Sequence, residues 1–551
     1  MEQREQHKGD LQEIWARYQK GVDFNIRMDL YDTVEVNENF FIGKQWEGVE
    51  AQGLPTPVFN FLKRVILYLV SSAAADHLKL QATPMQASAF PDGQGEAIAS
   101  VVNDQFEFLL EHNKVGSLVR ELLRSAAIDG DGCLFTYFDP SVETGQAQKG
   151  AIRTEIVENT RVLFGNPNDR RVETQPYIIL VSRELTCRLQ ERARKLGAKD
   201  WGLIVPDSDE STPQRERQDD DKTTVLLQFW RDPDTGEIWA LEASKTCLIQ
   251  KPFALGVRHY PIVWLSWDFI QNCYHGQAAI TGLIPNQIFV NKLFAMAMIS
   301  LMTTAYPRVI YDRTRIAAWD GRVGAAIGVN GGDMNDVAKI MDPAQISPQV
   351  SQFIELAVSY TQNFLGATDA ALGSVNPDNT SAIIALQETS SVPLETVKRN
   401  LFQCLEDLGR IYLDFMGAYY GVRLVDRLDP VTGMMMPAPF DFSVLQQFPL
   451  SLKLDVGASA YWSEIASVQA LDNLLAQDKI DLEEYLERLP DGYVPKKQAL
   501  IEKRRAQRER EEAAQMAAAQ MSQMGQMGDP LADPLMALSP AEPLPPELPV
   551  Q

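Results

Sequence analysis

The chain has 551 residues, 45% hydrophobic and 9% aromatic, with 51 Lys and Arg against 74 Asp and Glu for a formal charge of −23. That length exceeds one ordinary core, so two or three packing units are expected. The acidity argues against a protein that wraps nucleic acid with a basic surface, though not against one past which nucleic acid slides without sticking.

Residues Asp10–Thr33 have helix-favouring composition, and Phe40–Trp46 (FFIGKQW) reads as a turn rich in large aromatics. Two prolines in Leu54–Asn60 break the pattern before Phe61–His77, a long, largely buried helix. Gly95–His112 and Val115–Ile128 are further helices, closed by the glycines of Asp129–Gly132. The period then changes: Cys133–Asp139, Ile152–Glu158 and Pro176–Ser182 carry the β-branched and aromatic content of strands. A basic helix over Glu184–Leu196 ends at Gly197, in the C′ position. Pro206–Lys222 is charged and lacks aromatics, which predicts a mobile loop. Thr223–Trp230 and Glu237–Ala243 read as a hairpin through RDPDTG, and Pro261–Trp267 as another strand.

Gly282–Ala305 is nearly apolar on every side beyond Lys292, so neighbours must bury it all round. Gln349–Leu365 is amphipathic, with Val350, Phe353, Ile354, Ala357, Tyr360, Thr361 and Phe364 on one face and Gln352, Glu355, Ser359 and Gln362 on the other. Between them, Asn330-Gly331-Gly332-Asp333 suits the turn of a β-hairpin. Gly366–Ser381 (GATDAALGSVNPDNTS) is a Gly-rich loop, and Ala382–Tyr420 a long helix expected to kink at Pro393. Arg423–Gly457 returns to strands and turns, Ser463–Met521 is helical with a charge-balanced face at Glu502–Glu512, and Met524–Gln551 lacks periodicity and is expected to be disordered.

Catalytic signatures are missing. No G-x-x-x-x-G-K-[ST] loop occurs, and Gly366–Ser381 has no Lys to hold phosphate. Asp129-Gly130-Asp131-Gly132 opens like a calcium loop, but Pro140 stands where the twelfth-position Glu belongs, so a tight helix-to-strand turn is expected. Cys273-Tyr274-His275 lacks a second Cys/His pair at zinc spacing and reads as a buried thiol beside an exposed His. Trp230, Trp239, Trp264 and Trp267 read as strand core rather than a stacking platform for bases, since basic partners are sparse. Five scattered cysteines indicate reduced thiols, the N-terminus is not a signal peptide, and the longest apolar run, within Leu293–Met302, falls short of the roughly 20 residues of a membrane span.

The order of elements resembles the portal protein of tailed bacteriophages. Phe41-Ile42-Gly43-Lys44-Gln45-Trp46 followed by Pro57-Val58-Phe59-Asn60-Phe61 is similar to the G-x-Q-W…P…N opening of many portals. Ala127–Gly132 resembles their helix-to-strand entry. His259-Tyr260-Pro261-Ile262-Val263, Gly276 and Pro285-Asn286-Gln287…Asn291 resemble the lead into the family's stem, and Leu365-Gly366-Ala367…Ala371-Leu372-Gly373 the loop after it. The likeness spans residues 10 to 520, with only helical character matching beyond Gly457.

The resemblance implies an α+β fold: a wing over residues 1–281 and 422–462, stem helices at 282–305 and 349–365, a clip at 306–348, a tunnel loop at 366–381, a long kinked helix at 382–421, a helical crown at 463–521 and a disordered tail. It further implies a non-enzymatic ring, a dodecamer, at one capsid vertex of the virion, assembled in the host cytoplasm. Expected partners are double-stranded DNA in the channel, the terminase large subunit, head-completion or adaptor proteins, and the major capsid and scaffolding proteins, with no cofactor, metal or membrane. Channel candidates are Lys292, Gln352, Glu355, Ser359 and Gln362, and tunnel-loop candidates Asp369, Asn376, Asp378 and Asn379. The clip carries Arg308, Arg313, Arg315, Arg322 and Lys339 among Asp312, Asp320, Asp333, Asp336 and Asp342, a mixture suited to ion pairs between subunits or with partners. The rival readings are another head–tail connector or adaptor ring, and a nuclease with an unrecognised site.

Overall fold

The computed structural model describes residues 11–50, 55–74, 79–85, 94–146, 148–207, 221–305, 309–322, 325–333, 336–340, 349–364, 392–428, 435–448, 450–455, 471–477, 482–489 and a few isolated positions. Residues Met1–Ser459 form one unit and Ala460–Gln551 another. In the second, residues 471–476 are helical and α10 (Leu482–Arg488) follows, whose Tyr485 hydroxyl donates to Asp472 at 2.6 Å.

The first unit opens with α1 (Leu11–Arg27) and α2 (Leu30–Ile42). The single helix expected over Asp10–Thr33 is therefore two, and the expected turn at Phe40 is still helix. Asp29 at φ 51° breaks the chain between the helices, and Gly43 at φ 97° ends the second. Left-handed backbone cannot continue the i→i−4 ladder. Helix α3 (Phe61–Ala73) begins where the Asn60 side chain accepts the Lys63 N–H. Helices α4 (Gln94–His112) and α5 (Val115–Asp129) lie either side of Lys114, another left-handed residue.

Strand β1 (Lys79–Pro84) lies between α3 and α4, and β2 (Asp131–Asp139), β3 (Ala151–Val157), β4 (Val162–Phe164) and β5 (Ile178–Leu185) follow α5. The basic helix α6 (Thr186–Lys195) precedes β6 (Lys222–Arg231), β7 (Ile238–Ala243), β8 (Leu248–Ala254), β9 (Ile262–Ser266) and the short β10 (Asp268–Phe269) and β11 (Gly276–Gln277). Strands β4 to β8 form an antiparallel sheet in sequence order, and β3-β2-β9 a second sheet. Period alone missed β1, β4 and β8. Strand β8 contains Pro252, tolerated because β8 is an edge strand. The partner of β1 is β16 (Leu450–Asp455), far away in the sequence.

After β11 come α7 (Ile284–Ala305), β12 (Val309–Tyr311), β13 (Ala338–Ile340), α8 (Gln349–Phe364), α9 (Glu395–Tyr419), β14 (Val422–Leu428) and β15 (Met435–Asp441). Helix α9 buries Val397, Leu401, Leu405, Leu408, Tyr412 and Phe415 against the β3-β2-β9 sheet and β16. Pro393 sits in the 3-10 turn Val392–Leu394 at the head of α9, and the part of the expected kinked helix that precedes it lies outside the described residues. A missing N–H costs nothing in a first turn. Residues 382–391 lie outside the described residues, as do most of the loop at 206–222, most of Ser463–Met521 and the tail from Met524.

The Asp129–Gly132 segment is the tight turn expected, and Asp131 within it is internally satisfied. Asp131 Oδ1 accepts from Ser266 Oγ at 2.6 Å and the Gly276 N–H at 2.8 Å, while Oδ2 lies 2.9 Å from His275 Nδ1. His275 is buried, not exposed as expected, because this carboxylate and Asn25 occupy both ring nitrogens.

A second histidine ties α9 to the wing. His259 Nδ1 lies 2.8 Å from Asp414 Oδ2, which also accepts the N–H groups of Arg258 and His259. Glu173 and Arg231 face the imidazole from the wing, and Asp407 from α9. The hydrogen bond to Asp414 holds His259 above its ordinary pKa despite burial. Burial pushes Asp414 up, but the donors from His259 outweigh it and leave the carboxyl below the usual range. A raised histidine contributes stability that is full below its unfolded value of about 6.5 and is lost as pH rises through the folded value. Tm should therefore fall as pH is raised from about 6 to 8, and His259→Gln should flatten that slope. The effect stays below about 2 °C, because the imidazole is more than a third exposed and the pair is screened. An unchanged slope in the variant, measured by calorimetry, would rule the pair out as its source.

Candidate functional site

Helices α7 and α8 pack against each other. Asn286 near the start of α7 donates to Thr361 Oγ1 near the end of α8 at 3.0 Å, so the helices run antiparallel. The start of α7, its root, is set in a cluster of Phe40, Phe41, Leu62, Val65, Ile66, Ala127, Ile128, Leu283, Ile284 and Leu394.

Side-chain amides fix α7 in that root. Gln287 Nε2 donates to the Phe59 carbonyl at 2.8 Å and to Asn291 Oδ1 at 3.0 Å, Asn291 Nδ2 donates to Gln45 Oε1 at 2.6 Å, and Gln45 Nε2 to the Phe40 carbonyl at 3.1 Å. Asn60 Nδ2 reaches the Phe40 and Phe41 carbonyls, Trp46 Nε1 the Pro57 carbonyl, and Phe59 stacks on Phe294 with ring centroids 3.9 Å apart. Asn37 Nδ2 bridges the Ile128 carbonyl and Thr281 Oγ1. Gln45, Gln287 and Asn291 are all buried. The two widely separated motifs, around Gln45–Asn60 and Asn286–Asn291, thus meet at one joint. Sequence reading gave these amides no role. The available signal was Gln287 and Asn291, polar and one helical turn apart in an apolar helix.

Beyond the root, α7 becomes exposed. Ile284, Val290 and Leu293 are buried, but Met296, Met298, Leu301 and Met302 are not, and Leu301 is 63% exposed. The all-round burial expected of this helix is therefore not met within one chain, since even in its first half Phe289 is 48% exposed. By length and composition Thr281–Met302 also suffices to cross a bilayer, unlike the expectation from its longest unbroken run, because mean apolarity rather than continuity sets that property.

Helix α8 has three stripes rather than the two faces expected. Ile354, Ala357, Val358 and Thr361 are wholly or partly buried, and helix α7 is the neighbour. Gln352, Glu355 and Ser359 form a polar stripe with Asn363, which donates to Ser359 Oγ at 3.3 Å. Phe353, Leu356 and Tyr360 form a third stripe, apolar yet exposed, with Tyr360 at 65%. Gln362 is buried and does not join the polar stripe, because α8 is rotated to seat Thr361 against Asn286. Lys292 on α7 is exposed.

Residues 309–322, 325–333 and 336–340 lie between these helices in the chain, in the stretch expected to form a clip. Strands β12 and β13 pair antiparallel, Val309 opposite Ile340, while Ile316 and Val337 are buried and Tyr311 stacks on Trp319. The tight hairpin expected at Asn330–Asp333 is not the turn between adjacent strands. Gly331 and Gly332 do take positive φ, but the Asn330 N–H donates to the Arg315 carbonyl instead of across a two-residue turn. Arg315 pairs with Asp312 at 3.5 Å and Arg322 forks onto Asp320 at 2.6 Å. Within the chain these two arginines thus find acids two or three residues away. Hydrogen bonds from Thr314 hold Asp312, and those from Arg322 hold Asp320, below the usual carboxylate range. Arg313 and Lys339 are exposed. Arg308 and the loop residues Asp369, Asn376, Asp378 and Asn379 lie outside the described residues.

Asn291→Leu should cost about 1–3 kcal/mol in urea unfolding, because it strips Gln45 and Gln287 of partners in a buried site. Asn286→Ala, at a half-buried bond, should cost no more than about 1 kcal/mol. Equal losses would show that the amide ladder does not fix the root.

Residues 193–425, which include α7, the clip, α8 and α9, match the family model described as phage P22-like portal protein. No curated protein matches the chain.

Proposed function

We infer that this chain, a phage portal protein by the match over residues 193–425, assembles through α7 and α8 into a ring that forms the DNA channel at a capsid vertex. Portal proteins of this family are structural components of the virion, oligomeric and associated with the capsid. The observation that carries the finer reading is the three-stripe surface of α8. One stripe is covered by α7, one is polar, and one is apolar and bare. A helix with three surfaces suits three neighbours: its own partner helix, solvent in a channel, and the next subunit. The bare stripe of Phe353, Leu356 and Tyr360, with Met296, Leu301 and Met302 of α7, supplies apolar area that a lone chain leaves in water. A ring repeats that area at every joint.

On this reading Gln352, Glu355 and Ser359 line the channel, with Lys292 as a sparse cation. A polar wall of weak charge lets a duplex pass, since each phosphate gripped would strengthen binding and slow movement. Gln362, being buried, drops out of the lining. The clip presents Arg313 and Lys339 to the terminase and later head-completion proteins, while the residues of Gly366–Ser381 form the tunnel loop. The family implies no catalytic group, cofactor or membrane, and the apolar face of α7 is assigned to protein rather than lipid.

Mass photometry of the purified protein should show a ring, about 740 kDa for twelve copies of 61.7 kDa. Leu301→Asp should leave the subunit folded, because that side chain is exposed, and should abolish rings. Persistence of rings in this variant would remove α7 from the interface. Glu355→Lys should slow DNA packaging in a motor-driven assay, and an unchanged velocity would remove α8 from the channel wall.

A further inference from the structure

Helix α6 and the 3-10 turn after it, Trp201–Leu203, carry a surface outside the α7–α8 pair. Leu189 and Ala193 face inward, joined by Ile204, Val225, Cys247 and Ile249 in a satellite core. Residues 201–205 are tied back to the helix: the Arg194 guanidinium lies 5.7 Å over the Trp201 ring, and Gln190 Nε2 donates to the Ile204 carbonyl at 2.8 Å. Trp201–Leu203 is a 3-10 turn, and Ile204 after it is buried while Leu196, Trp201, Leu203 and Val205 are left in solvent. All four are exposed, and Leu203 is 60% so.

Cations border this apolar strip. Arg188, Arg194, Lys195 and Lys199 are exposed, with Glu191 and Asp200 as the acids among them. Glu191 is engaged by Lys195 at 2.8 Å, while Arg192 is drawn inward to Glu184 and Glu242. A local positive excess around bare apolar residues is unusual for a chain of net charge −23. An acidic partner is repelled by most of such a molecule and attracted here, so the charge pattern selects both the partner's sign and its landing place.

We propose that this face docks an acidic amphipathic helix of a partner protein. The apolar stripe of that helix covers Leu196, Trp201, Leu203 and Val205, and its flanking carboxylates meet Arg188, Arg194, Lys195 and Lys199. The contact is small, so affinity is modest, with Kd on the order of 10–100 µM.

Cys187 near the start of α6 is exposed and the other four cysteines are buried, so a solvent-sensitive dye there reports on this face in the full chain. The probe is a synthetic helical peptide with Leu at i, i+3, i+4 and i+7 spacing and Glu elsewhere. It should bind saturably, and raising the salt from about 0.05 to 0.5 M should weaken binding at least tenfold. The variant Arg194→Glu/Lys199→Glu, at exposed positions and checked for folding by circular dichroism, should lose binding by at least tenfold. Equal binding of a scrambled peptide, or salt-independent binding, would overturn the proposal. A change in ring mass on charge reversal would assign the face to a second copy. Binding seen only after deletion of residues 208–220 would assign it to that segment of the same chain.

Discussion

The buried amide ladder at the base of α7 is the contact on which helices α7 and α8 depend. Gln45, Gln287 and Asn291 are withdrawn from water and bond to one another and to the carbonyls of Phe40 and Phe59, with Gln287 Oε1 buried and without a hydrogen-bond partner. Losing any one of these bonds strands further polar groups where water does not reach, so the residues stand or fall together. The bonds are directional and uncharged. They set the rotation of α7 in a way that apolar packing in the surrounding cluster could not.

Rotation of α7 then decides what α8 can offer. With Asn286 bonded to Thr361, the stripe of Ile354, Ala357 and Val358 turns toward α7, and Phe353, Leu356 and Tyr360 turn away. Within one chain this leaves a strip of large apolar side chains in water. The same holds for the outer half of α7, whose methionines and Leu301 are bare. Apolar area left by one subunit is a driving force for association with identical subunits, since each presents both sides of the same joint.

Electrostatics follow a different rule in each part. In the clip, Arg315 and Arg322 are neutralised by acids close in sequence, so these groups are poorly placed to hold a long anion. Along α6, Arg192 alone is turned inward to two glutamates, and the remaining cations face solvent around apolar residues. The wing carries its own charged tie, His259 to Asp414, which links α9 to the loop before β9.

The sequence by itself determined most of the local structure. Periodicity located the helices at Phe61, Gly95, Val115, Glu184 and Gln349 and the strands at Cys133, Ile152 and Thr223, because each depends on neighbours a few residues away. Motif order was also legible, and it carried the likeness to portals. Tertiary structure decided what period cannot encode. The pairing of β1 with β16 joins opposite ends of the unit, and the burial of His275 depends on Asp131 and Asn25 from distant elements. Whether Phe353 or Ile354 faces α7 was open in the sequence, since both lie on one apolar arc. A hydrogen bond between Asn286 and Thr361 settled it, because a directional contact across 75 residues fixes a helix's rotation while hydrophobicity fixes only its arc.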